Sequence, residues 1–130
     1  MIARVGDLLA LLEQEAATYG RLLHILREEE AAVLAGRHAG VAACATRKET
    51  LLLELRMLAE SRTVLLGRLA EAFGVPASAL TLSRLTGLVD PLEAARLRAL
   101  RSLLAETLSQ IAQATHGLGL LLERSLFRVR

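Results

Sequence analysis

Cysteine, aromatic residues and long apolar runs are all scarce in this chain, and each scarcity closes off a class of protein. Cys44 is the only cysteine among 130 residues, so no internal disulfide can form, and a reducing cytoplasm suits the chain. Tryptophan is absent and aromatics are 2% of the sequence, against 53% hydrophobic residues. The apolar surface is therefore leucine, alanine and valine at helical spacing, which favours a helical bundle over a sheet. Apolar runs such as 51–53 and 118–122, the latter with a glycine inside, fall far short of the roughly 20 residues that span a bilayer. The patch at 8–12 follows Asp7 and precedes Glu13 and Glu15 with no small-residue cleavage site, so no secretion leader is expected. His24, His38 and His116 are scattered, no Glu-x-x-His pattern occurs and no glycine-rich phosphate loop follows a strand, so we expect no enzyme, metal site or cofactor. A net charge of +2 with acids and arginines interspersed, and no aromatic stacking platforms, argues against a nucleic-acid partner.

What the chain does have is helix, broken twice. The first break is Gly36-Arg37-His38-Ala39-Gly40, after a helix starting near Asp7, and the second runs over 74–90. The expected fold is all-α: an antiparallel bundle of three long helices in one domain, with 1–73 a helical hairpin, 74–90 a connecting loop or short helix and 91–130 a C-terminal helix. Within 74–90, residues 80–85 can form a short helix capped by Ser78 or Thr81, with Leu82 and Leu85 folding onto the bundle end. Asp90 caps the last helix, Pro91 sits where a missing N–H costs nothing and Glu93 completes the reciprocal cap.

Helix one reads as a stripe of Val5, Leu8, Leu12, Ala16, Tyr19, Leu23, Leu26 and Leu34, and helix two as Val41, Cys44, Leu51, Leu55, Leu58, Leu66, Leu69 and Phe73. Cys44 lies on the second stripe as a small hydrophobe. In an antiparallel hairpin, residues whose numbers sum to about 77 or 78 face each other. That register sets Leu23 opposite Leu55, and it also pairs the charges that interrupt the stripes, Glu15 with Arg62 and Glu30 with Lys48.

The last helix has more leucine at its end than one buried face can use. Leu97, Leu100, Leu104, Leu108, Ile111, Leu118, Leu122, Leu126 and Val129 make a core stripe, yet Leu120, Leu121 and Phe127 point away from it. Gly117 and Gly119 each cost about 1 kcal/mol of helix stability relative to alanine. The tail is thus sticky and weakly helical, suited to docking on a partner's groove or helix. The plainer alternative is a frayed end that covers its own bundle.

The stretch Leu8-Leu9-Ala10-Leu11-Leu12-Glu13-Gln14-Glu15 followed by Tyr19, the turn Glu28-Glu29-Glu30…Leu34-Ala35-Gly36, the segment Arg47-Lys48-Glu49-Thr50-Leu51-Leu52-Leu53-Glu54-Leu55 and the ending Gly119-Leu120-Leu121-Leu122-Glu123-Arg124-Ser125-Leu126 together resemble the FlgN family of flagellar type III export chaperones. The resemblance runs over essentially the whole chain and rests on the order and spacing of these segments. It implies a cytoplasmic chaperone that binds the hook-filament junction (hook-associated) proteins FlgK and FlgL and delivers them to the export machinery. It places substrate binding on the C-terminal helix, around Gly119, Leu121, Leu122, Ser125 and Leu126. Leu118 and Phe127 are expected to join this contact surface, through which a homo-oligomer can also form. Thr115 and Leu118 stand where family members often carry asparagines. Two other classes compete with this reading: a structural coiled-coil or bundle subunit that self-associates, and a basic nucleic-acid-associated bundle.

Overall fold

The computed structural model describes residues 4–129, with side chains through residue 119. All regular structure in it is helical: α1 (Val5–Leu34), α2 (His38–Phe73), a 3₁₀ turn (Ala77–Ala79), α3 (Leu82–Thr86) and α4 (Pro91–Val129). Helix α1 opens two residues before the expected start. The Asp7 carboxylate accepts the Arg4 backbone N–H at 3.3 Å, and an acid in the first turn suits the positive end of the helix. Gly36 (φ 68°) and Gly74 (φ 67°) take the left-handed conformation that only glycine adopts without strain. In both, the next N–H reaches back to a carbonyl of the last turn, Arg37 to Ala32 at 2.9 Å and Val75 to Ala70 at 3.0 Å, as in Schellman stops.

Gly40 is no part of the turn, because α2 already begins at His38. Its role is proximity: a Cβ at Gly40 would lie 3.3 Å from the Ala32 Cβ, so the missing side chain lets α1 and α2 approach beside their connection. Of the two caps expected for the short helix, Thr81 serves, its Oγ1 accepting from Arg84 N at 3.1 Å. Asp90 Oδ1 accepts from Glu93 N at 2.8 Å and starts α4.

Packing is organised around α1, which contacts both α2 and α4 extensively, while α2 and α4 hardly touch. The reason is legible in the burial pattern. Leu8, Leu11, Glu15, Thr18, Leu22, Ile25, Glu29 and Ala32 alternate three- and four-residue steps and are buried or half-buried. Val5, Leu9, Leu12, Ala16, Tyr19, Leu23, Leu26, Glu30 and Val33 do the same on an adjacent face. Each series is a heptad-type stripe. The first meets Cys44, Lys48, Leu51, Leu55, Leu58, Arg62, Leu65 and Leu69 of α2, also at three- and four-residue steps and withdrawn from water. The second is left for α4, which packs on α1 and whose Leu97, Leu100, Leu104, Thr107, Ile111, Ala114 and Leu118 are likewise withdrawn from water at three- and four-residue steps. One expected stripe on α1 is therefore two interleaved stripes, and Leu9, Leu22 and Ile25 belong to the core with the leucines read from sequence.

Two apolar clusters result. The proximal one joins Leu8, Leu9, Leu12, Leu69, Leu97 and Leu104 with Leu80 and Leu85 from the connection, and Leu82 packs against it, so the short helix lies on this cluster. The distal one joins Leu22, Ile25, Leu26, Cys44, Leu51, Leu55 and Leu118. Two leucines assigned to core stripes are not core: Leu34 is 68% exposed and Leu108 is 43% exposed. Leu34 falls on neither of the two buried stripes of α1. Leu108 is displaced because three- and four-residue spacing brings Thr107, not its neighbour, to face α1.

Candidate functional site

The α1–α2 contact carries charge inside its apolar stripe. Arg62 Nη1 donates to Glu15 Oε2 at 2.9 Å, and the Glu15 side chain is 3% exposed. Lys48 Nζ donates to Glu29 Oε1 at 2.7 Å, with Glu29 4% exposed. The Glu15–Arg62 pair is the one expected from sequence. Lys48, however, takes Glu29 in place of Glu30, because Glu29 lies on the stripe facing α2 and Glu30 on the stripe facing α4. Both pairs have residue numbers summing to 77, while the more exposed pairs Arg21–Glu54 (2.9 Å) and Arg47–Glu28 (2.7 Å) sum to 75. Numbers thus fall along α2 as they rise along α1.

Glu15 Oε1 has no hydrogen-bond partner. Burial pushes the Glu15 carboxyl above its ordinary range, and the Arg62 charge offsets this only in part. Thr18, also buried, donates to the Gln14 carbonyl at 2.9 Å and accepts from Arg21 at 3.1 Å. Glu28 sits between Arg47 and His24, and the Arg47 hydrogen bond holds its carboxyl below the usual range. Beside this ladder, Ala17, Gly20, Arg21, His24, Ile25, Thr46, Arg47, Thr50 and Leu51 line an open groove of about 570 Å³.

The α1–α4 contact is built differently. Among the described residues its single ion pair is Arg96–Glu13, at 2.6 Å and about half exposed on both sides. At its proximal end α3 braces α4: Arg101 donates to Ser83 Oγ, and Leu85 and Leu97 are fully buried. Towards the distal end the α4 stripe thins to Thr107, Ile111 and Ala114 before Leu118.

Of the expected substrate-contact residues, Leu118 is 4% exposed and packs in the distal cluster of its own chain. Gly119 is exposed, with nothing within 4 Å of where a Cβ would stand. The side chains of Leu121, Leu122, Ser125, Leu126 and Phe127 lie outside the described residues. The sequence reading did not single out the apolar residues exposed on α2, Leu53 (56%), Met57 (62%) and Val64 (55%). They recur on the face opposite the α1 contact, a second periodicity that the core stripe obscured.

Among the described residues no group of three or more His, Cys, Asp and Glu is placed to hold a metal, and no helix is long and apolar enough to cross a membrane. Three long helices, two of them joined by buried ion pairs, define an all-helical protein among the described residues. The FlgN protein family model matches residues 1–130, the whole chain, and the chain belongs to that family. FlgN proteins are chaperones of flagellar export, and that is the role the family assigns. No curated protein and no solved structure matches the chain.

Proposed function

We propose that this chain is a cytoplasmic chaperone for the hook-filament junction proteins FlgK and FlgL, which it holds through the C-terminal part of α4 and hands to the type III export apparatus. In this reading the single domain is an antiparallel bundle: the hairpin of α1 and α2 is the scaffold, 74–90 crosses its end, and α4 lies along α1 with coiled-coil-like packing.

The observation that carries the reading is one of length. Helix α1 has 30 residues and α4 has 39. Among the described side chains the α4 stripe facing α1 runs to Leu118, and the helix itself continues to Val129. That continuation holds Leu120, Leu121, Leu122, Leu126 and Phe127, an apolar surface wider than one stripe, which is what an amphipathic partner helix buries. Titration calorimetry against peptides of the terminal helices of FlgK and FlgL tests this, comparing the full chain with a chain ending at Gly119. The shortened chain keeps Leu118 and should melt nearly as the full chain does while losing peptide binding. Undiminished binding would move the substrate site elsewhere.

A further inference from the structure

The two contacts of α1 differ in what fixes them, and the difference assigns a moving part. A one-heptad slip of α2 along α1 would bring Glu15 level with Leu55 and Lys48 level with Leu22, burying charges against leucine; the ion pairs therefore hold the hairpin closed and in register. Among the described residues α4 has no buried ion pair to α1. Its seam is apolar apart from Thr107 on α4 and Glu30 on α1, and its cross-helix ion pair is exposed. Aligning the two buried stripes with Leu9 level with Leu97 puts Ala16 beside Leu104, Tyr19 beside Thr107, Leu26 beside Ala114 and Glu30 beside Leu118. Ala16, Thr107 and Ala114 each face a larger residue, the other levels pair large apolar residues, and then a carboxylate meets a leucine. The proximal end is pinned by α3 and by fully buried leucines, whereas the described side chains that hold α4 beyond Thr107 are Ile111, Ala114 and Leu118, with Gly117 weakening the helix itself.

We propose that α4 beyond Thr107 is a clasp: it parts from α1 while the proximal half of α4 and the whole α1–α2 hairpin stay folded. The apolar stripe it uncovers, Leu23 and Leu26 on α1 with Ile111 and Leu118 on α4, receives the amphipathic helix of the exported protein. This rests on the chaperone reading above and extends its binding site from the C-terminal tail into the distal bundle. In the free protein the clasp hides Leu118 in its own core, which limits exposed apolar surface until a client displaces it.

Hydrogen exchange on the free full-length chain tests the parting directly. Amides of 108–118 should exchange at least about tenfold faster than those of 94–104. Residues 44–55 of α2, at the same end of the molecule, should stay protected. Equal protection along α4 would overturn the clasp, and so would joint loss from α2 and distal α4, which marks simple fraying of the bundle end. A clamp tests the docking: Leu26→Cys with Ala114→Cys in a Cys44→Ala background, oxidised and reduced, titrated with a terminal-helix peptide of FlgK. Oxidation should weaken binding at least about tenfold and reduction restore it. If the oxidised clamp binds like the reduced form while Leu121→Asp abolishes binding, the clasp is wrong and the chaperone reading stands. If Leu121→Asp binds like wild type, the tail site fails and exchange alone decides the clasp. Should the clamp variant not fold when reduced, exchange again decides.

Discussion

Replacing Arg62 by leucine should destabilise the protein at neutral pH far more than replacing Glu15, although the two form one ion pair. Glu15 is 3% exposed and already has one carboxylate oxygen without a partner. Removing Arg62 leaves a buried, uncompensated charge, for which about 3–5 kcal/mol is usual when both partners are buried. The Arg62 side chain is 36% exposed, so water already screens the pair and a loss of about 2–3 kcal/mol is the expected size. In a domain of this length that lowers the melting temperature by roughly 10 °C.

Glu15→Leu should be near neutral, because Arg62 can turn its head to solvent. The double variant should recover most of the Arg62→Leu loss. The pH dependence has a definite sign. The folded-state pKa of Glu15 is raised above its unfolded value by burial, so its contribution favours the fold below the ordinary glutamate range and is lost as pH rises through the folded pKa. Arg62→Leu raises that pKa further, and the gap between variant and wild type should narrow as pH falls from 7.5 towards 4.5. Circular-dichroism melts across this range would settle the matter. A variant that melts with wild type at pH 7.5, or a gap that persists unchanged into acid, would refute the claim that Glu15 is held charged in the core by Arg62.

Leu97→Ala should cost about 2–5 kcal/mol in a denaturant titration, because its side chain is fully buried, whereas Leu92→Ala, at 72% exposure, should stay within about 0.5 kcal/mol of wild type. Gly36→Ala should destabilise by about 1 kcal/mol for its positive φ; Gly117→Ala, with open space around it, should instead raise α4 helicity and stabilise by up to about 1 kcal/mol. Leu121→Asp or Leu122→Asp should remove several kcal/mol of peptide binding in calorimetry while leaving the melt unchanged. Leu55→Asp should lose both, since Leu55 lies in the distal core.

The helices themselves, their glycine stops, the Thr81 and Asp90 caps and the Glu15–Arg62 pair could all be read from residue order. Each depends on a side chain or dihedral acting within a turn, or on one hairpin register counted from a short turn. What the chain could not declare was that α1 is central. A helix buried on one face and a helix buried on two adjacent faces both look like a leucine-rich amphipathic segment, and only the presence of α2 and α4 on separate sides splits the leucines into two stripes. That split moved Lys48 from Glu30 to Glu29, put Thr107 where Leu108 was expected, and brought Leu9, Leu22 and Ile25 inside. The surplus leucine of the tail was visible in sequence, because excess apolar surface is a matter of counting. That Leu118 is spent on the distal core, and that among the described residues the α4 contact has no buried ion pair like those of α2, follows from which helix faces which, a choice made by packing between segments far apart in the chain.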